Sequence, residues 1–237
     1  MIGSSPIIAE QRYGRGLEDL VAGDTAISEV DGRGGRLLYR GYPIDDLVGR
    51  ATFEEVTYLV LFGELPNAKQ LEDWSAELRR WRTPPQAALD ALHKIPARAH
   101  PLAQFRTMMT VAACHIPEPE NTELDAQWRR PARILSWTAT LAACAIRHLE
   151  GADPLLPRDD LDYAANFLHQ ATGRSPSADE TAAFEASLVV QAEHGLHAAA
   201  FAALVVISTG ADLGSAVLAG MGALSGARHG GANQLAF

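Results

Sequence analysis

From Pro43 onward, apolar residues recur at helical spacing in one segment after another, and glycine or proline closes each segment. Thr52-Phe-Glu-Glu55 reads as a capping box, in which the Thr52 hydroxyl accepts from the Glu55 amide while the Glu55 carboxylate reaches back. The run that follows (Phe53, Val56, Tyr58, Leu59, Val60, Phe62) is too apolar for a free surface helix, and Gly63 and Pro66 stop it. Asn67 caps a helix expected over 68–81, with Leu71, Trp74 and Leu78 as its stripe. Further helices are expected over 85–95, 102–113, 133–149 and 161–172, the last ended by Gly173. Ser177-Ala-Asp-Glu180 is a second capping box, opening a helix to about 191, and helical patterns resume over 195–208 and 211–224. Proline-rich loops fall at 116–121 and 151–160.

Strand signals are confined to 26–30 and 36–40, separated by the glycine-rich turn 31–35. No βαβ alternation or repeat is present, and the short connections favour antiparallel neighbours. The expected fold is all-α with a small N-terminal β-hairpin: an arm over 1–15, then one large helical domain over 16–237.

Composition narrows the function. A net charge of −9 disfavours nucleic acid and anionic membranes as generic partners. The apolar charge-free runs 134–146 and 198–211 fall short of the ~18 strongly apolar residues of a spanning helix. No charged segment followed by an apolar run opens the chain, so a cytoplasmic protein without a signal peptide is expected. Cys114 and Cys144 sit in alanine-rich apolar stretches and read as two buried, reduced thiols.

Two sites interrupt the helices with histidine. Ala192-Glu-His-Gly-Leu-His197 lies between two helical patterns, and such a break can aim imidazoles into an internal pocket. Glu193 could set the tautomer of His194; equally, these are histidines satisfied near a helix end. His194 and His197 stand three apart with no cysteine or third histidine nearby, so no metal site is expected. Ser225-Gly-Ala-Arg-His-Gly-Gly-Ala-Asn-Gln234 surrounds His229 with glycines that let backbone approach a ligand closely; its plain alternative is a helix–helix turn. No P-loop, Rossmann fingerprint or nucleophile elbow is present.

At these motifs the chain resembles the citrate synthase and 2-methylcitrate synthase family. The resemblance starts at Gly16-Leu-Glu-Asp-Leu-Val-Ala-Gly-Asp-Thr-Ala-Ile-Ser28. It continues through Leu38-Tyr-Arg-Gly-Tyr-Pro-Ile-Asp-Asp-Leu47, Thr52-Phe-Glu-Glu-Val, Gly63-Glu-Leu-Pro66, His100-Pro101 with Arg106, and Asn166-Phe-Leu with Thr172-Gly173. Gly226-Ala-Arg-His-Gly-Gly-Ala-Asn233 looks like the family's G-P-L-H-G-G-A-N signature. The resemblance implies condensation of acetyl-CoA or propionyl-CoA with oxaloacetate or a related 2-oxo acid. Acyl-CoA would be a substrate, and no cofactor is expected. It implies that His229 assists enol formation by donating to the thioester oxygen, and that His194 and the neighbouring His197 lie at the 2-oxo acid site.

Two departures accompany the resemblance. Gly195, His197 and Ala199 replace polar residues of the family's H-A-D-H-E-L-N-A-S stretch, and Arg228 replaces an apolar one. The family's small domain, third histidine, proton-abstracting aspartate and carboxylate-gripping arginines are expected beyond this C-terminally incomplete large domain. A truncation, a second chain carrying the remainder, and a non-catalytic dimerisation or ligand-binding paralogue all fit that pattern. The resemblance also implies a homodimer, with the helix 211–224, whose only charge is Asp212, at the interface and Gly214 and Val217 near its two-fold axis.

Overall fold

The computed structural model describes residues 22–96, 98–116, 128–227 and 229–230. The expected arm 1–15, the loop 117–121, Arg228 and the end of the signature from Gly231 lie outside them, as do residues 16–21 of the first resemblance segment.

The strands are β1 (Ser28–Asp31), β2 (Arg36–Tyr39) and β3 (Tyr42–Pro43), an antiparallel meander in the order β1-β2-β3. The expected hairpin forms, with Ser28 opposite Tyr39 and Asp31 opposite Arg36. The two-residue β3 carries too little pattern to be read from sequence. Its tight turn puts Arg40 in the left-handed region (φ 50°). The Arg40 guanidinium offsets that strain by donating to the carbonyl of Val60 at 2.9 Å, near the C-terminus of a helix whose dipole favours a cation there.

That helix is α2 (Phe53–Phe62), which follows the single turn α1 (Ile44–Leu47). Its capping box forms as expected: the Glu55 amide donates to the Thr52 hydroxyl at 3.2 Å and the Thr52 amide to the Glu55 carboxylate at 2.7 Å. Gly63 ends it at φ 96°. Then come α3 (Ala68–Arg80), α4 (Gln86–Leu92), α5 (Pro101–Ala113), α6 (Arg130–Leu149), α7 (Tyr163–Thr172), α8 (Ala178–Val190), α9 (Ala198–Ser208) and α10 (Leu213–Leu224). The described residues are thus all-α apart from the meander.

The long α6 organises the core. Trp137, Leu141 and Cys144 pack with Leu92 of α4, Met108 and Met109 of α5, and Met221 of α10. On the other side, Tyr58 and Trp74 pack with Phe62 and Trp128, and the Trp74 indole donates to the Thr57 hydroxyl at 3.0 Å, satisfying its one polar atom. A buried polar row ties the 151–160 loop to this core. Thr140 donates to the Arg82 carbonyl at 2.7 Å, Asn166 donates to Gln170 at 3.0 Å, and Gln170 donates to the Leu155 carbonyl at 2.9 Å. Buried polar groups keep a partner because an orphan costs about 1–3 kcal/mol.

One sequence expectation is corrected here. Cys114 is exposed, because it falls just past the last turn of α5; Cys144 is buried. Gly214 packs closely within its own chain. A Cβ there would lie 2.8 Å from the Ala113 side chain, so this glycine exists for close packing of α10 on α5 within one chain. Val217 likewise packs on the core of its own chain.

Candidate active site

The two histidine segments, 32 residues apart at His197 and His229, meet in space: their ring centroids lie 5.2 Å apart at 49°. Local chemistry explains how each arrives. α8 stops at Val190 because the chain must turn, and Gly195 supplies the turn at φ 70°, where a side chain would be strained. The helix resumes at Ala198, three residues later than the sequence pattern suggests, because His197 acts as the N-cap of α9. Its Nδ1 accepts from the Ala200 amide at 3.4 Å. On the other segment, the His229 amide donates to the Gly226 carbonyl at 2.9 Å, closing the turn after α10. Gly230 follows so closely on α10 that a Cβ would meet the Leu224 carbonyl at 2.6 Å. The glycine at 230 is therefore a packing requirement, and it folds the turn back toward α9.

The 191–197 segment is braced by the β-meander. The fully buried Tyr39 donates its hydroxyl to the Val190 carbonyl at 2.8 Å and accepts from the Glu193 amide at 3.2 Å. The Ser28 hydroxyl donates to the Glu193 carboxylate at 3.0 Å, and the Gly195 amide donates to the same oxygen at 2.6 Å. Glu193 thus does not reach His194 with its carboxylate. The His194 Nδ1 instead lies 2.9 Å from the Glu193 backbone carbonyl, which can only accept, so Nδ1 carries the proton and Nε2 is left outward on an exposed ring. Tautomer control at His194 comes from backbone, not from the neighbouring side chain.

The imidazoles have different surroundings. The pKa of His197 is held below the ordinary value by loss of water around the ring and then by the nearby His229, while Glu193 opposes the shift and His194 adds to it. The Nε2 atom of His229 is buried without a hydrogen-bond partner among the described residues, the arrangement a donor to a bound oxygen would have. A cleft of about 400 Å³ adjoins this turn, lined by Leu224, Ser225 and Gly230 on one side and by His100, Phe105 and Gln191 on others. A second cavity of about 290 Å³, between Phe53, Leu135 and Val217, is lined by apolar side chains with only the Thr57 hydroxyl among them and carries no acid–base group.

Of the expected site residues, the structure brings His197 and His229 into contact and leaves His194 on the same braced loop with its outer nitrogen exposed. Ala199 is buried under the site, with its carbonyl 3.1 Å from where a Cβ on Gly220 would fall. Tyr39 and Ser28 were not legible as site residues: each sits on a strand more than 150 residues from its partner, and no local pattern links them. Among the described residues no group of three His, Cys, Asp or Glu side chains could hold a metal ion, and no helix is long and apolar enough to cross a membrane.

Comparison with known proteins gives this geometry a context. The family model described as "Citrate synthase, C-terminal domain" matches residues 16–237. The chain is 38% identical over 220 residues to 2-methylcitrate synthase of Mycobacterium tuberculosis, covering 93% of this chain and 56% of that protein. It is 39% identical over 223 residues to citrate synthase of Mycolicibacterium smegmatis, covering 94% of this chain and 59% of the relative. The chain therefore spans just over half the length of the curated relatives it matches. Citrate synthase from Pyrobaculum aerophilum superposes with a TM-score of 0.86 at 35% identity, over 93% of this chain and 57% of the other. A citrate synthase from Thermoplasma acidophilum, solved as a ternary complex with carboxymethyl coenzyme A and oxaloacetate, superposes with a TM-score of 0.88 at 28% identity, over 95% of this chain and 59% of the other.

Proposed function

Because the chain belongs to the citrate synthase family, we propose that it supplies part of the site of an acyl-CoA-condensing enzyme, joining acetyl-CoA or propionyl-CoA to oxaloacetate or a related 2-oxo acid. Acyl-CoA enters as substrate, not as a resident cofactor. The observation that carries the reading is the His229 Nε2: a buried imidazole nitrogen without a partner among the described residues, on a turn that adjoins a cleft of about 400 Å³. A donor there would stabilise negative charge as the thioester oxygen becomes an enolate. His194, its tautomer set by backbone and its outer nitrogen exposed, would contact the 2-oxo acid. Glu193 is committed to Ser28 and Gly195, and the family resemblance implies that the carboxylate removing the acyl proton comes from outside the described residues.

The test is release of coenzyme A from acetyl-CoA or propionyl-CoA with oxaloacetate. The 237-residue chain by itself should turn over slowly, since general-base assistance is typically worth ~10²–10⁴-fold. Adding a polypeptide that carries the C-terminal remainder of a relative should raise the rate, and His229→Ala should remove most of that gain. Full activity in His229→Ala would take His229 out of the mechanism. With Gly195 and His197 in place of polar residues, the assembled enzyme should rank a panel of 2-oxo acids differently from an ordinary citrate synthase.

Association of two copies is the second part of the proposal. It is supported by α9, whose Leu204, Val205 and Ile207 are exposed on a helix without a charge.

A further inference from the structure

His197 is where the chain departs from the family's pattern and also where its two histidine segments touch. Its Nδ1 accepts from the Ala200 amide, which can only donate, so the neutral ring carries its proton on Nε2. Placing a second proton on the ring requires Nδ1, and that proton would displace the Ala200 amide. Capping α9 and carrying charge are therefore mutually exclusive for this side chain. The ring held in this state lies 5.2 Å from the centroid of His229.

We propose that His197 is a positioning residue for His229: its cap on α9 fixes a neutral imidazole against the His229 ring and so ties the orientation of that ring to the start of α9. The role rests on His229 acting as the donor to acyl-CoA. The neighbourhood contains few groups that could take it over. Glu193 faces His197 from its own loop but is bound to Ser28 of β1 and to the Gly195 amide. His194 contributes a weaker repulsion from the same loop. α10 packs on α9 with Gly220 against Ala199 and carries no titratable side chain between Leu213 and Leu224. His229 is thus the titratable ring that His197 meets from another segment. The depressed proton affinity of His197 agrees with the geometry, since loss of water around the ring and then His229 oppose its charged form, against a smaller pull from Glu193.

The experiment uses the full chain with ring-nitrogen-labelled histidine, followed by NMR from pH 5 to 8, together with amide hydrogen exchange at Ala200. His197 should show a protonated Nε2 and an accepting Nδ1 at pH 7.5. On acidification its ring should titrate with the same midpoint at which the Ala200 amide loses protection, and the His229 ring signals should shift in that step as well. In His229→Gln the His197 midpoint should rise by about half a pH unit or more. His197→Asn keeps a good capping side chain without a ring, so the acid-linked loss of protection at Ala200 should vanish while α9 stays formed. Persistence of that loss in His197→Asn, or a His197 midpoint indifferent to His229→Gln, would overturn the positioning role. These readouts need no substrate, so failure of acyl transfer would count against the His229 donor and leave the coupling to stand or fall separately.

Discussion

α6 and α9 invert the usual relation between apolarity and burial. α9 (Ala198–Ser208) has no charged residue, yet Ala199 is its one buried residue, and Leu204 and Val205 are 44% and 48% exposed. α6 (Arg130–Leu149) carries Arg130, Arg133, Arg147 and His148, yet eleven of its residues are buried. The difference lies in the neighbours. α6 is enclosed by α3, α4, α5 and α7, and its Arg133 is covered by stacking on Trp81 at 3.9 Å from the ring. α9 packs chiefly on α10. A helix's composition states how much surface it would remove from water; whether its own chain provides the cover is a separate matter. Where the two disagree, as in α9, the chain presents a surface that suits a partner.

The largest test of this contrast is Leu141→Ala in α6 against Leu204→Ala in α9. The first should cost about 2–5 kcal/mol in urea unfolding, the second under about 1 kcal/mol when measured on the monomer. Equal costs would mean that α9 is already covered in the free chain. A second test reads association. If a second copy covers α9, Val205→Lys should halve the mass seen by light scattering at micromolar concentration while leaving the helical signal intact, because a C₂ contact places the charge on both sides. A mass equal to one chain in the unaltered protein would remove the dimer.

Smaller effects probe terms that should ignore coverage. Thr52→Ala at α2 and Ser177→Ala at α8 each break a capping box, one in the covered half and one in the exposed half. Both should cost about 1 kcal/mol, since a cap satisfies amides of its own helix. A cost confined to Thr52 would show that caps also depend on tertiary cover. The smallest effect concerns the buried Glu54. Burial raises its pKa above the ordinary value, opposed by the Tyr163 amide and reinforced by Asp162 and Glu185. A raised carboxyl favours the folded state below the unfolded pKa, and that contribution is lost as pH rises through the folded one. Glu54→Gln should therefore flatten the decline in stability between about pH 4.5 and the folded value. An unchanged slope would assign the decline to other groups, such as the similarly raised Glu185.

The helices were legible because their punctuation is local. Thr52, Asn67 and Ser177 cap where the sequence places them, and Gly63 and Gly173 adopt the left-handed conformation their positions require. The boundaries that shifted did so for reasons that local pattern does not contain. α6 begins at Arg130 rather than 133, and α9 waits for a histidine to cap it. At the site, the sequence marked the glycine turn and the histidines. It could not show that Glu193 would turn away to Ser28, or that Tyr39 would anchor the end of α8.

By itself, then, the sequence determined the all-α class, the order of the helices, the family and the two histidine segments, because caps, glycines and apolar spacing act over a few residues at a time. Only the tertiary structure decided which of those residues meet. The pairing of His197 with His229, the use of Gly214 for packing inside one chain, and the exposure of α9 and Cys114 depend on contacts between segments far apart in sequence. Periodicity fixes the direction a side chain takes from its own helix, but not what stands opposite.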